Sequence, residues 1–86
     1  MGEDHPSILV SRSNLLGLRR TLGERAALPQ EYHDLLVARR RVLKDDHPST
    51  LLTLNDWAVA LAETGQFEQA IAAHREALER RRRVLG

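Results

Sequence analysis

Histidine is the residue type in this chain best suited to binding a metal ion, and the chain contains four of them. A helical zinc site typically combines two histidines four residues apart with a nearby carboxylate. No pair of these histidines has that spacing, so we predict no metal-binding residue. We expect the second to be exposed and the fourth to be packed on the apolar face of its helix. The four are His5, His33, His47 and His74.

Nucleophilic and phosphate-handling chemistry are equally unsupported. A hydrolase serine typically lies in a G-x-S-x-G turn, and none of the serines does. The chain has no glycine-rich phosphate loop. The pair Asp45-Asp46 lies at a predicted helix start, where carboxylates interact favourably with the helix dipole. We therefore predict no catalytic residue, no cofactor and no enzyme activity.

Two runs of arginine, Arg39–Arg41 and Arg80–Arg83, are the strongest charge signal in the sequence. Consecutive helical residues point about 100° apart, so each run winds around its helix instead of forming a stripe. Cations in a last helical turn also complement the helix dipole. The 13 Lys and Arg residues are nearly balanced by 12 Asp and Glu residues, whereas nucleic-acid-binding domains are usually strongly basic. We expect a structural role for the arginines and no nucleic-acid partner, and nucleic-acid binding through the arginines is the last of the alternative functions.

The segment Asp4-His5-Pro6-Ser7 recurs 42 residues later as Asp46-His47-Pro48-Ser49, and residues 2–43 align with residues 44–85 without a gap. A period of this length indicates stacked repeats, in which each unit buries the apolar face of its neighbour. We predict one domain, residues 1–86, made of repeats 2–43 and 44–85. Gly86 begins a third period, so we expect a fragment of a longer array. We expect His5 and His47 either to cap a helix or to form a hydrogen bond between repeats, with Asp46 as an alternative cap in the second repeat.

Apolar residues spaced three and four apart predict four helices, near 6–22, 29–43, 48–63 and 67–84. A proline inside a helix costs about 3 kcal/mol, so the second helix either starts near Pro29 or kinks there, and the path of residues 24–28 stays open. Gly65 fits a helix end, and the short turn makes each helix pair antiparallel. The predicted fold is all-α, two stacked antiparallel helical hairpins, with Trp57 and Phe67 on inward faces.

Four motifs of the second copy begin at Asp46, Leu54, Gly65 and Ala77. The first reads D-H-P-S-T-L, and the others fit the patterns L-N-x-x-A, G-x-[FY]-x-x-A and A-L-x-x-R-x-x-x-L-G. Through these motifs the second copy resembles the tetratricopeptide repeat family, specifically its 42-residue kinesin-light-chain-like variety, in which the first motif is D-H-P-[ST]-L. The first copy departs from the pattern, with Leu16, Leu28 and Leu35 in place of alanines and Arg25 in place of the aromatic residue.

The resemblance implies a non-catalytic module that binds a protein or peptide on a concave face built by the first helix of each repeat. Asn55 matches the motif asparagine that typically holds a bound peptide's backbone, because an amide both donates and accepts hydrogen bonds. Arg20 is placed to pair with an acidic side chain of a ligand. The groove residues implied in this way are Ser13, Asn14, Gly17, Arg20, Asn55, Asp56, Val59 and Glu63.

The alternative function is that of a structural spacer or a self-association segment. The first and last helices carry more apolar residues than one hairpin covers, so we expect a homodimer or higher oligomer. End-to-end stacking would produce it, and so would a helix swap with a hinge near residues 43–48. The chain has no cysteine, which fits a cytoplasmic location, and no apolar run of membrane-spanning length, so we expect no membrane partner.

Overall fold

The computed structural model describes residues 5–85, without the side chain of Pro6, and contains four helices and no strand within that range. The helices are α1 (Pro6–Thr21), α2 (Leu28–Leu43), α3 (Pro48–Glu63) and α4 (Phe67–Leu85). The all-α prediction is confirmed, with each boundary within one residue. Asp4 and the predicted repeat boundaries at residues 2 and 86 lie outside the described range.

The helices α1 and α3 begin in the same way. The Nδ1 atom of His5 accepts a hydrogen bond from the backbone N–H of Ser7 at 3.2 Å. The Nδ1 atom of His47 accepts the equivalent bond from Ser49 at 3.0 Å. Each imidazole thus satisfies one of the N–H groups that a first helical turn leaves unpaired. The predicted capping role of both histidines is confirmed.

These two helices also end in the same way. Gly23 and Gly65 have positive φ angles of 86° and 84°. The N–H after each glycine bonds five residues back, from Glu24 to the Arg19 carbonyl at 2.9 Å and from Gln66 to the Leu61 carbonyl at 2.8 Å. This pattern is the Schellman motif, in which glycine takes the left-handed conformation. After Gly23, α2 begins at Leu28, and Pro29 lies in its first turn. The helix therefore starts next to the proline and does not kink there.

The helices pack in chain order, α1 on α2, α2 on α3 and α3 on α4. Two clusters of buried residues form the core, and the partly buried Trp57 packs against both. The first cluster joins α1, α2 and α3 and contains Leu9, Leu16, Leu28, Tyr32, Leu35, Ala38 and Ala60. The second joins α2, α3 and α4 and contains Leu36, Leu54, Ala58, Leu61, Ala70, Ala73 and Ala77.

The prediction that Phe67 faces inward is wrong, because its residue surface is 64 % exposed. The helix α4 has two apolar stripes, and the one that is buried consists of Ala70, Ala73 and Ala77. Three alanines at helical spacing let α4 approach its neighbour closely, and the larger residues then point away from the hairpin. The exposed larger residues of α4 are Phe67, Ile71, Leu78, Val84 and Leu85.

The environments of the two remaining histidines are also the reverse of the prediction. His74 shares the outward stripe of α4 and is exposed. His33 is partly buried, and its ring lies 5.1 Å from the ring of Trp57, centroid to centroid, with the planes tilted by 55°. Leu15 and Leu18 of α1 and Leu22, which directly follows this helix, are exposed as well, whereas Leu9 and Leu16 are buried.

Candidate binding groove

The first helices of the two repeats, α1 and α3, are bridged near both of their ends. Near their C-terminal ends, the Nε atom of Arg20 on α1 lies 3.0 Å from Oε1 of Glu63 on α3. Near their N-terminal ends, the guanidinium of Arg39 reaches the Leu9 carbonyl on α1 at 3.4 Å and the Thr53 hydroxyl on α3 at 2.7 Å. The two helices therefore run side by side in the same direction. We call the surface between them the groove.

The structure brings two of the predicted groove residues into direct contact. The guanidinium of Arg20 meets the Glu63 carboxylate with two nitrogens, Nε at 3.0 Å and a terminal nitrogen at 3.4 Å. Arg25 adds a weaker contact to the same carboxylate at 3.7 Å. Because these side chains are about one-third to one-half exposed, the pairs contribute little to stability, about 0–1 kcal/mol. A ligand carboxylate would have to compete with Glu63 for Arg20.

The other predicted groove residues keep their hydrogen-bonding capacity free within residues 5–85. Asn14 is exposed, whereas Ser13, Asn55 and Asp56 are partly buried, and no side chain of the described part of the chain bonds to any of them. Gly17 and Val59 are partly buried at equivalent positions of α1 and α3. A Cβ built on Gly17 would meet nothing within 4 Å, so the absence of a side chain leaves open space there.

Asp56 has the most unusual electrostatic environment in the groove. Burial raises the pKa of its carboxyl group, and the positive charges of Arg20 and Arg39 offset only part of that increase. Asp56 also acts on Tyr32, whose pKa is raised by burial first and by the negative charge of Asp56 second. The carboxylate of Asp56 is thus partly desolvated and has no hydrogen-bond donor among the described residues.

Two groove residues were not predicted, because both belong to α2, the second helix of the first repeat. Tyr32 is buried, and the nearby Arg20 offsets part of the increase in the pKa of its hydroxyl that burial causes. Arg39 is 5 % exposed, and burial lowers the pKa of its guanidinium. Its Nε atom has no partner in the described structure. Both side chains are long enough to pass between α1 and α3. A prediction that takes groove residues from the first helices alone therefore misses them.

Two other arginines of the runs, Arg40 and Arg80, form ion pairs within the protein, and these pairs support the predicted structural role. Arg40 lies 2.7 Å from Glu76, and Arg80 contacts the same carboxylate at 2.9 Å. Arg80 also reaches Asp46 at 3.1 Å, and these hydrogen bonds raise the pKa of its guanidinium. The network ties α2, the start of α3 and α4 together. Arg81, Arg82 and Arg83 are exposed.

The described residues contain neither a group of metal-binding side chains nor a helix that could cross a membrane. Within residues 5–85 no three His, Asp or Glu side chains are grouped so that they could hold a metal ion. In the same part of the chain, none of the helices has both the length and the apolar content that crossing a membrane requires.

Comparison with known proteins gives one finding. A family model described as tetratricopeptide repeat matches residues 30–83, more than half of the chain, from the first turn of α2 almost to the end of α4. A search of curated proteins found no match. Tetratricopeptide repeats generally mediate protein–protein interactions and are typically non-catalytic. The four antiparallel helices and the matched segment together show that the chain belongs to the tetratricopeptide repeat family.

Proposed function

We propose that the groove between α1 and α3 binds an extended segment of a partner protein. The observation that carries this proposal is Asp56, a partly buried carboxylate without a hydrogen-bond donor among residues 5–85. A polar group held in this state costs folding free energy, and a ligand N–H or cationic side chain would supply the missing donor.

The neighbouring residues fit the same role. The amide of Asn55 is next to Asp56 on α3 and is able both to donate to and to accept from a peptide backbone. Gly17 leaves space on the facing helix, although glycine inside a helix costs about 0.5–1 kcal/mol relative to alanine. Gly17 thus destabilises α1, and no packing contact in the described structure requires a glycine there. A need for room to accept a ligand would explain its presence.

We also propose that the chain belongs to the kinesin-light-chain-like variety of the family. The 42-residue period and the four motifs of the second repeat support this assignment. The function proposed is binding alone, without catalysis.

The groove proposal is tested with peptides selected from a random library on the immobilised protein. Nuclear magnetic resonance shift mapping should place the selected peptides on α1 and α3. Asn55→Ala and Asp56→Asn should each weaken binding about tenfold, because the first removes an amide that donates and accepts and the second removes the charge that strengthens a hydrogen bond from a ligand donor in a partly dry site. Glu79→Gln, an exposed change on α4, is the matched control and should bind like the parent. Shifts confined to α2 and α4, or equal affinities of all three variants, would contradict the proposal.

A second function, self-association, is favoured by the exposed apolar residues at the two ends of the stack. At the first end these include Leu15 and Leu18 of α1 and Leu22 directly after it, which are 49 %, 64 % and 75 % exposed. On α4, Ile71 and Leu78 are both about half exposed. Apolar surface of this kind commonly marks an interaction site. We propose that copies of the chain associate through these ends, and sedimentation equilibrium over a range of concentrations tests it.

A further inference from the structure

The helices α2 and α4 are equivalent elements of the two repeats, yet the same face is covered on one and open on the other. On α2, Leu36 is 0 % exposed and Arg39 is 5 % exposed, because α3 packs over them. The residues 42 positions later, Leu78 and Arg81, are exposed on α4. Equivalent pairs on this face include Pro29 with Ile71, Tyr32 with His74, Leu36 with Leu78, Arg39 with Arg81, and Leu43 with Leu85.

The helices α1 and α3 show the complementary difference. On α3, the hydroxyl of Thr53 accepts from Arg39 at 2.7 Å, and Thr50 donates to the Arg39 carbonyl at 3.5 Å. Ala60 is buried in the same cluster as Tyr32, and Trp57 packs against that cluster. The equivalent residues of α1 are all exposed: Ile8, Ser11, Leu15 and Leu18, matching Thr50, Thr53, Trp57 and Ala60 in that order.

Each end of the molecule therefore presents one half of the junction that the chain itself makes at its centre. We propose that α4 of one copy binds α1 of a second copy, head to tail, with the geometry that joins α2 to α3 within one chain. This arrangement rests on the self-association proposed above and specifies which faces meet.

The side chains of the two open faces complement each other in size. At the internal junction the bulky Tyr32 meets the small Ala60. Between copies the smaller His74 would take the position of the tyrosine, and the larger Leu18 that of the alanine. Leu15 likewise stands in place of Trp57. The gain in volume at Leu18 is matched by the loss at His74, as a packed interface requires, and the smaller Leu15 leaves further room beside them.

The polar contacts of the junction can also be reproduced. Within the chain, Arg39 donates to the Ser49 carbonyl at 3.3 Å and to the Thr53 hydroxyl four residues later. On α1 of a second copy, the same two positions are Ser7 and Ser11, which offer a carbonyl and a hydroxyl to Arg81. In the monomer, Arg81 lines an apolar pocket of about 250 Å³ between the start of α3 and the end of α4. The first turns of α1 of the second copy would fill this pocket.

Because the two faces differ, the contact is heterologous and leaves one open face at each end of any assembly. Such contacts generate open chains of copies unless the rotation between them happens to close a ring. A helix-swapped dimer, by contrast, is closed and stops at two copies.

The test uses two variants of the 86-residue chain that each block one face. Leu78→Glu places a charge on the α4 face, and Leu18→Glu places one on the α1 face. Both residues are exposed in the monomer, so the fold should tolerate the changes, which circular dichroism verifies. In sedimentation velocity, each variant alone should be monomeric. An equimolar mixture should form heterodimers and nothing larger, because one intact α4 face and one intact α1 face remain.

The possible results of this experiment distinguish the head-to-tail arrangement from self-association in general. An unmodified chain that stays monomeric to millimolar concentration would overturn both. Association of the unmodified chain without heterodimers in the mixture would overturn the head-to-tail arrangement alone. The polar contact has its own test: Arg81→Gln should weaken association about tenfold, as expected for loss of a charge-assisted hydrogen bond. Arg83→Gln, the same change at another exposed position of α4, should leave it unaltered, and equal weakening by both variants would refute the contact.

Discussion

Lys44, which ends α2, is the sole non-glycine residue in the range 5–85 with a positive φ angle. Its φ of 75° and ψ of 167° lie in a region that is open essentially to glycine alone, because a Cβ atom collides there with the backbone. A residue held in such a conformation typically costs about 1–3 kcal/mol. One period earlier and one period later the sequence has glycine, Gly2 and Gly86.

Lys44→Gly should therefore stabilise the protein. Removing the strain gains about 1–3 kcal/mol, and the greater chain entropy that glycine loses on folding takes back about 0.5–1 kcal/mol. Loss of a cation near the C-terminus of α2 takes back a few tenths more. The net increase in the free energy of unfolding is then about 1 kcal/mol, which for a domain of this size raises Tm by about 4–8 °C. Thermal and urea unfolding, followed by circular dichroism on dilute samples, measure it.

The control is Lys44→Ala, which removes the same charge but keeps a Cβ atom at the strained position. It should leave Tm unchanged or slightly lower. If alanine and glycine raised Tm equally, the lysine charge and not the backbone conformation would be the cause. If neither raised it, the residue would not be strained in solution and the reasoning would fail.

Three further predictions concern the core, the groove and a helix cap. Trp57→Ala should lower the free energy of unfolding by about 4 kcal/mol, because a large, mostly buried indole is lost. Phe67→Ala should lower it by only about 1 kcal/mol, because that side chain is mostly exposed. Equal losses in urea titrations would contradict the two environments described. Asp56→Asn should be more stable than the parent at neutral pH, because a raised folded-state pKa of Asp56 means that its ionisation opposes folding. The gain should vanish below about pH 3.9, where the carboxyl is protonated in both states, and a gain that persisted at lower pH would show that ionisation of Asp56 is not its cause. His47→Ala should cost about 1 kcal/mol in the same titrations through loss of the cap, while His47→Asp should keep most of the stability; an equal loss in both would mean that the ring packs and does not cap.

The helix boundaries were predictable because local chemistry decides them. A capping histidine followed by proline starts α1 and α3, and a glycine with positive φ follows the end of each. These signals act over four or five residues and need no tertiary context. The repeat gives each of them twice, which places the boundaries within one residue.

The side of α4 that is buried was not predictable in the same way. Its periodicity shows two apolar stripes, one of alanines and one of larger residues, and hydrophobicity favours burying the larger ones. Packing decided otherwise, because close approach of α4 to its hairpin partner requires the small stripe represented by Ala73, and Phe67 then lies outside. The positions of Tyr32 and Arg39 in the groove were missed for a related reason, since long side chains of α2 reach a surface assigned to α1 and α3.

Comparison of the two repeats distinguishes the residues that pack one repeat on the next from the residues that line the groove. Leu36 and Leu78 are identical in type, as are Arg39 and Arg81, yet the first of each pair is buried and the second exposed. A helix face that is used at more than one junction must keep the same residue types, even when one copy of the face is buried within the chain and the other is exposed. Groove positions behave oppositely, for Gly17 in α1 corresponds to Val59 in α3 and both are partly buried. A ligand lying across both helices would meet a different side chain from each repeat, so its specificity would arise where the copies have diverged.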